Sequence, residues 1–247
     1  MVVFSAAVFG AIAGSFLNAL LFRYNTGRSV LRGRSGCMHC GHTLGVLDLV
    51  PVLSYLLLRG RCRYCSSRIS VQYPAVEVMV GSIAVFLALN TPDLPSFFFW
   101  LLVWIILLFV LVYDLRHKII PLSCSALLAA LGLLHVYLGG FQLVDAAGVL
   151  LSVPLLFVSL ISRGQWMGWG DGMLEAGLGL LLGLTAGLTA FMLAFWSGAV
   201  VGIVLLCLPR GYTMKSEVPF APFLIFGAAC AYFLHVDLFY TLPTLFF

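Results

Sequence analysis

Eight apolar stretches, roughly residues 2–22, 73–90, 95–112, 121–138, 143–162, 173–189, 191–208 and 219–236, dominate this chain of 247 residues. Each comes close to the ~20 residues that a helix needs to cross the hydrocarbon core of a bilayer. An unpaired backbone group in that core costs several kcal/mol, so only helices and closed barrels cross it. The stretches show no strict two-residue alternation, which favours helices over a β-barrel. Composition agrees: with 62% of residues hydrophobic and 9% charged, the chain lacks the charge to coat a soluble domain of this length. The expected fold is all-α, a polytopic membrane bundle of about eight transmembrane helices with a small loop domain. Breakers separate the stretches at Thr91-Pro92-Asp93 with Pro95, at Gly139-Gly140, at the Gly-rich residues 164–172 and at Pro209-Arg210-Gly211. The sixth and seventh stretches run together almost without interruption.

One polar segment of any size, Arg23 to Gln72, separates the first two stretches, and the basic residues test the layout. All 13 lysines and arginines lie in that segment, after the third stretch, after the fifth or after the seventh. In an eight-span chain these positions share one side of the membrane, and the positive-inside rule makes that side cytosolic. The opposite side carries Asp93, Asp145 and Asp237 instead. The first stretch has its basic residues after it rather than before it, so it reads as a retained helix and not a cleaved signal. The organisation expected is a first transmembrane helix over 1–22, a cytosolic loop over 23–72 and a transmembrane bundle over 73–247. A net charge of +4 is too small and too local to suggest a nucleic-acid partner; the partner implied is the lipid bilayer.

The loop contains two pairs, Cys37-Met-His-Cys40 and Cys62-Arg-Tyr-Cys65, separated by 21 residues. Each pair can place two thiolates on one metal, and two pairs complete a tetrahedron around structural Zn²⁺. Four thiolates on a divalent ion leave a net negative charge that Arg34, Arg61 and Arg63 are placed to offset. A cytosolic loop argues against structural disulfides. A thioredoxin-like redox pair, unligated thiols, and His39 or His42 as substitute ligands are the alternatives. Cys124, Cys207 and Cys230 lie in apolar stretches and read as packing residues.

An ionisable residue at the end of a membrane span is a functional candidate by default. Glu77, Asp114, Asp171 and Glu175 qualify. Asp114 closes the apolar run Phe97 to Tyr113, and Asp171 sits in Gly168-Trp169-Gly170-Asp171-Gly172. Glycines around an aspartate let an extended peptide approach its carboxylate. The topology puts both aspartates at the same cytosolic depth. Two carboxylates in contact share a proton, so one can act as base on a water while the other polarises a scissile carbonyl. The bland alternatives are pairing of Asp114 with Arg116 or Lys118, and helix capping by either aspartate.

In these motifs the chain resembles the bacterial prepilin peptidases (type IV leader peptidases), members of the Gly-x-Gly-Asp class of membrane aspartyl proteases. Gly14-Ser15-Phe16-Leu17-Asn18, the two CxxC pairs, Pro51 to Leu56, Arg59-Gly60-Arg61-Cys62, Tyr73-Pro74 with Glu77, Asp114 to Pro121, Gly168 to Asp171 and Pro219-Phe220-Ala221-Pro222-Phe223 carry the resemblance. It implies a membrane aspartic endopeptidase of the bacterial cytoplasmic (inner) membrane, with its active site facing the cytosol. Its substrates would be type IV prepilins or pseudopilins, cut between a basic leader and an apolar helix, usually after Gly and before Phe. The catalytic pair would be Asp114 and Asp171. The resemblance also implies N-methylation of the new N-terminus with S-adenosylmethionine, for which Gly14, Asn18 and Glu77 are the cofactor-binding candidates. Close helix packing for Gly14, an interhelical hydrogen bond for Asn18 and a buried polar anchor for Glu77 are the structural alternatives.

The chain departs from the family at Met173, where a lysine often follows the second aspartate by two positions, and Glu175 adds negative charge nearby. A basic leader could be met by Asp48, Glu77, Glu175 or Glu217. The rival classes are a proton-coupled transporter relaying through the two aspartates and a non-catalytic membrane scaffold. A transporter predicts internal repeats and mid-membrane polar residues; the sequence shows no repeat, and the acids lie at helix ends.

Overall fold

A computed structural model describes residues 1–27, 29, 35–207, 218–236 and 238. Arg28, Arg32, Arg34, Arg210, Lys215, Glu217 and Asp237 lie outside the described residues. All of the regular structure described is helical: Val2–Arg23 (α1), Leu53–Leu57 (α2), Gln72–Asn90 (α3), Leu94–His117 (α4), Leu122–Leu138 (α5), Leu143–Ala146 (α6), Ser152–Ile161 (α7), Trp169–Cys207 (α8) and Ala221–Phe233 (α9). A 3₁₀ turn over Ala147–Leu151 joins α6 to α7, making one span of them. Among the described residues, five helical segments are long and apolar enough to cross a membrane, and α5 and α9 are shorter apolar helices.

The chain divides into two compact units, Met1–Phe109 and Val110–Phe247, with the division inside α4. In the first unit α1 lies antiparallel to α3, backbone against backbone. A Cβ on Gly10 would stand 2.6 Å from that of Ala84, and one on Gly14 would stand 2.8 Å from the Glu77 Cα. Small residues permit this approach, which replaces the missing hydrophobic drive for helix association in lipid with close packing. Asn18 fastens one end of the pair by donating its amide to the Tyr73 carbonyl at 3.0 Å. Phe22 stacks on the Tyr73 ring beside it, with centroids 5.0 Å apart. The sequence places 73–90 with the protease bundle; the structure groups it compactly with α1 and the cysteine loop.

In the second unit α8 is central and packs on α5, α6, α7 and α9. The 39 residues of α8 are not one rod, because Gly183 has φ 75° and ψ 179°. That region of backbone space is essentially confined to glycine. A Cβ on Gly187 would lie 3.5 Å from the Gly179 Cα, whereas eight residues of continuous helix rise about 12 Å. The helix therefore folds back on itself at Gly183. This reversal divides the region where sequence expects the sixth and seventh spans, with the break six residues or more before the position expected near residue 190. Gly183 also abuts Asp145: a Cβ there would be 2.9 Å from the Asp145 Oδ1. The first arm of α8 runs parallel to α5, with Gly177 against Leu128 and Ala129 and Gly132 against Leu180. The second arm carries α9, through Gly227 on the Ala190 carbonyl and Gly198 on Phe223.

Candidate functional site

The two CxxC segments fold into matching turns. The Cys37 N–H donates to the His42 carbonyl and the Gly41 N–H to the Cys37 carbonyl; the Cys62 N–H donates to Ser67 and the Ser66 N–H to Cys62. The residue after each second cysteine is left-handed, Gly41 at φ 71° and Ser66 at φ 57°. These turns bring the sulfurs of Cys37, Cys40, Cys62 and Cys65 within 4.8 Å of one another, a group that can hold a metal ion. Cys37 and Cys65 are 3.8 Å apart. Tetrahedral sulfurs at ~2.3 Å from zinc would be about 3.8 Å apart, so the spacing fits that ion.

The electrostatics fit as well. The N–H groups of Cys40 and His39 aim at the Cys37 sulfur and hold its pKa down at about 6. Cys40, although pulled down by the His42 N–H, is held up at about 11 by desolvation and by the Cys37 and Cys65 sulfurs. Clustered thiols cannot all ionise alone, and a divalent cation removes the conflict. His39 and His42 are not in the cluster; His42 lies on the Tyr64 ring, centroids 3.6 Å apart. Arg63 is paired with Asp48 at 2.8 Å. Asp48 also accepts from the Tyr64 hydroxyl and the Gly45 N–H. It ties the 45–48 turn to the second cysteine pair and is already engaged by a cation of its own loop.

Asp114, at the last turn of α4, and Asp171, in the first turn of α8, belong to the same unit, Val110–Phe247. They are only 3% and 9% exposed. Asp114 is near enough for its charge to act on the Asp171 carboxyl. Asp171 Oδ2 accepts the Gly168 N–H at 3.2 Å, and the Asp171 N–H returns to the Gly168 carbonyl at 3.2 Å. The glycine frame is thus a closed turn that aims this carboxyl. Gly170 is pressed against Ile120, where a Cβ would be 2.7 Å from the Ile120 Cβ. That contact ties the turn to the chain that follows Asp114.

The Ala221 N–H, in the first turn of α9, points at the Asp114 carboxyl. Sequence reading missed this donor. Its signal was the Pro219 to Phe223 motif, which carried the resemblance without a role. Asp114 Oδ2 is buried and has no hydrogen-bond partner. Glu175 lies one helical turn past Asp171, is 2% exposed, and its Oε1 also lacks a partner.

Gly14, Asn18 and Glu77 meet at the α1–α3 contact. Gly14 packs on the Glu77 backbone, Asn18 donates to Tyr73 while its Oδ1 is buried without a partner, and Glu77 faces a cavity. Glu77 Oε2 accepts the Val52 N–H at 2.7 Å, and the Ser15 hydroxyl lies near the same carboxyl. Val52 has φ 61°, and the Leu53 N–H reaches the Pro51 carbonyl at 2.6 Å. This is a γ-turn of the rarer, strained hand on a β-branched residue. One cavity of about 390 Å³ is lined by Glu77, Val52, Ala7, Ala11, Gly81 and Ser82 among others. A second, of about 300 Å³, is lined by Ser15, Arg23, Ser35, Phe16, Leu49 and Pro51 among others.

Comparison with known proteins matches the chain in two parts. The Bacterial Peptidase A24 N-terminal domain profile matches residues 8–91, and the Type IV leader peptidase family profile matches residues 100–203. The Prepilin leader peptidase/N-methyltransferase of Aeromonas hydrophila is 36% identical over 199 residues, covering 77% of this chain and 68% of that protein. The protein of the same description from Burkholderia pseudomallei (strain 1026b) is 32% identical, with 92% and 84% covered. That from Pectobacterium carotovorum is 32% identical, with 89% and 88% covered. No solved structure matches significantly. Identity at this level over most of both sequences establishes that the chain belongs to the type IV leader peptidase family.

Proposed function

We propose that this chain is a prepilin leader peptidase and N-methyltransferase of the bacterial inner membrane, with Asp114 and Asp171 as its proteolytic pair. The observation that carries the reading is the joint burial of two carboxyls, from two different helices of one unit, close enough to feel each other's charge. Two such groups hold one proton between them. The ionised member takes a proton from a water as that water attacks the scissile carbonyl. The protonated member donates to the carbonyl oxygen. The tetrahedral species collapses as the aspartate protonated by the water gives that proton to the leaving amine while a hydroxyl of the tetrahedral carbon returns its proton to the other aspartate, which restores one shared proton. Asp171 is aimed by its glycine turn, and Ala221 donates to Asp114 to keep its orientation.

The enzyme faces the cytosol with this site, since every lysine and arginine falls on one side of the eight-span layout. Its substrates, type IV prepilins or pseudopilins, present an apolar helix to the bilayer and a basic leader to the cytosol. Cys37, Cys40, Cys62 and Cys65 hold a structural Zn²⁺ that organises the loop. S-adenosylmethionine supplies the methyl group for the second activity. The cavity with Arg23, Ser15 and Ser35 offers its carboxylate a cation and hydroxyls, and Glu77 lines the neighbouring space.

The test is cleavage of a prepilin by the purified full-length protein in lipid nanodiscs. Asp114→Asn and Asp171→Asn should each abolish cleavage while zinc content and thermal midpoint stay at wild-type values. Normal cleavage by either variant removes that residue from the catalytic pair.

A further inference from the structure

Methylation needs a place for the amine that cleavage exposes, and the first unit contains a site of that chemistry. Glu77 is 7% exposed. The Val52 N–H donates to its carboxyl, and the Ser15 hydroxyl lies near it. A carboxylate offers about four lone-pair positions, so positions remain to be filled. The cavity beside it, of about 390 Å³, is walled by Ala7, Ala11, Val52, Gly81 and Ser82 with Val78 and Val85, and Glu77 is the one charged group in that lining. A carboxylate against apolar walls without a counter-ion is electrostatically incomplete. The strained Val52 turn lines one side of the space, held there by the Glu77 carboxylate itself. Strain of this kind persists where the surroundings over-determine it, and it gathers at ligand clamps.

We infer that this cavity binds the α-ammonium of an apolar N-terminal residue, the new N-terminus of the cleaved substrate, with Glu77 as its counter-ion. The inference rests on the leader-peptidase reading and adds the ligand of this site. A single positive charge on an apolar body is the complement of a single carboxylate in an apolar recess. The small side chains of Ala7, Ala11 and Gly81 leave room for the first side chain of the incoming helix. Before cleavage the same nitrogen is a neutral amide with one N–H, so the site distinguishes the cut product from its precursor. That discrimination sets the order of events: leader removal first, amine capture second.

The experiment uses the full-length protein in nanodiscs, without methyl donor, and a fluorescent apolar peptide beginning with Phe, with its amine either free or acetylated. The free-amine peptide should bind wild type about tenfold more tightly than the acetylated one, the usual weight of a charge-assisted hydrogen bond. Glu77→Gln, which keeps an oxygen for the Val52 N–H, should erase the preference. Ser82→Trp, which fills the cavity and leaves the carboxylate in place, should weaken free-amine binding by a similar factor. Persistence of the preference in Glu77→Gln, wild-type binding by Ser82→Trp, or absence of the preference in wild type each overturns the inference. Cleavage of a precursor peptide is measured on the same wild-type sample. Discrimination without cleavage supports amine capture and sinks the peptidase reading, while cleavage without discrimination sinks amine capture alone.

Discussion

Glu77 and Asp114 are both carboxyl groups almost fully buried on apolar helices, one in each compact unit. Their surroundings differ. Glu77 accepts a backbone N–H beside a hydroxyl, and it holds a strained turn in place. Asp114 has one donor, from Ala221, and its Oδ2 has none; Glu175, in the same unit, also keeps an oxygen without a partner. A buried polar group left unsatisfied costs about 1–3 kcal/mol. Native proteins tolerate few of them, and those few call for an explanation. The first unit uses its carboxylate as an anchor with capacity to spare for a cation. The second unit leaves carboxyl oxygens of Asp114 and Glu175 unmatched, an arrangement that suits the acid–base role proposed for Asp114.

Breaking the catalytic side of this contrast should give the largest effect. Asp114→Asn or Asp171→Asn should lower cleavage by at least ~10²–10⁴-fold, the usual weight of general acid–base groups, with methyl-donor binding retained; a fluorescence cleavage assay and a donor-binding isotherm check this. Next, Cys37→Ser should strip the bound metal, measured by elemental analysis, and expose the loop amides to hydrogen exchange over 35–69. Structural zinc contributes roughly 10–16 kcal/mol of binding free energy in small zinc domains. Unchanged metal content would remove Cys37 from the ligand set. In the second unit, Gly183→Ala should destabilise by about 1–3 kcal/mol, because its backbone conformation is nearly closed to other residues. A thermal midpoint equal to wild type would mean that α8 does not reverse at this residue.

The smaller effects sharpen the picture of the first unit. Asn18→Ala should cost about 1 kcal/mol through loss of the hydrogen bond to Tyr73, read in the unfolding midpoint with denaturant. Ser66→Gly makes the second cysteine turn match the first, where Gly41 already occupies the left-handed position. It should be neutral or stabilising by about 0.5 kcal/mol, visible as equal or slower zinc loss to a chelator.

Much of the fold was legible because it depends on local spacing. Twenty-residue apolar runs, the distribution of arginines and the two CxxC pairs each carry their meaning within a short window, and the structure places helices and clusters the sulfurs accordingly. The break in α8 was legible only as a near-continuous run. Gly177, Gly179, Gly183 and Gly187 all lie in it, and periodicity cannot say which of them turns the chain. Gly183 is the one with a positive φ, with Asp145 packed against it. For Asp114 and Asp171 the flanking motifs pointed to the residues, while the donor from Ala221 arises from a helix more than a hundred residues away in sequence.

By itself the sequence determined that this chain lives in a bilayer and that its spans are helices, which follow from hydrophobic length and charge asymmetry; its two CxxC pairs pointed to a shared site, and its motifs carried the resemblance to the leader peptidases. The tertiary structure decided which carboxyls are satisfied and which are not, that α3 packs with α1, and that Glu77 lines an open apolar cavity beside the strained Val52. Those outcomes come from contacts between residues distant along the chain, where packing geometry and not local preference sets the neighbours of each group.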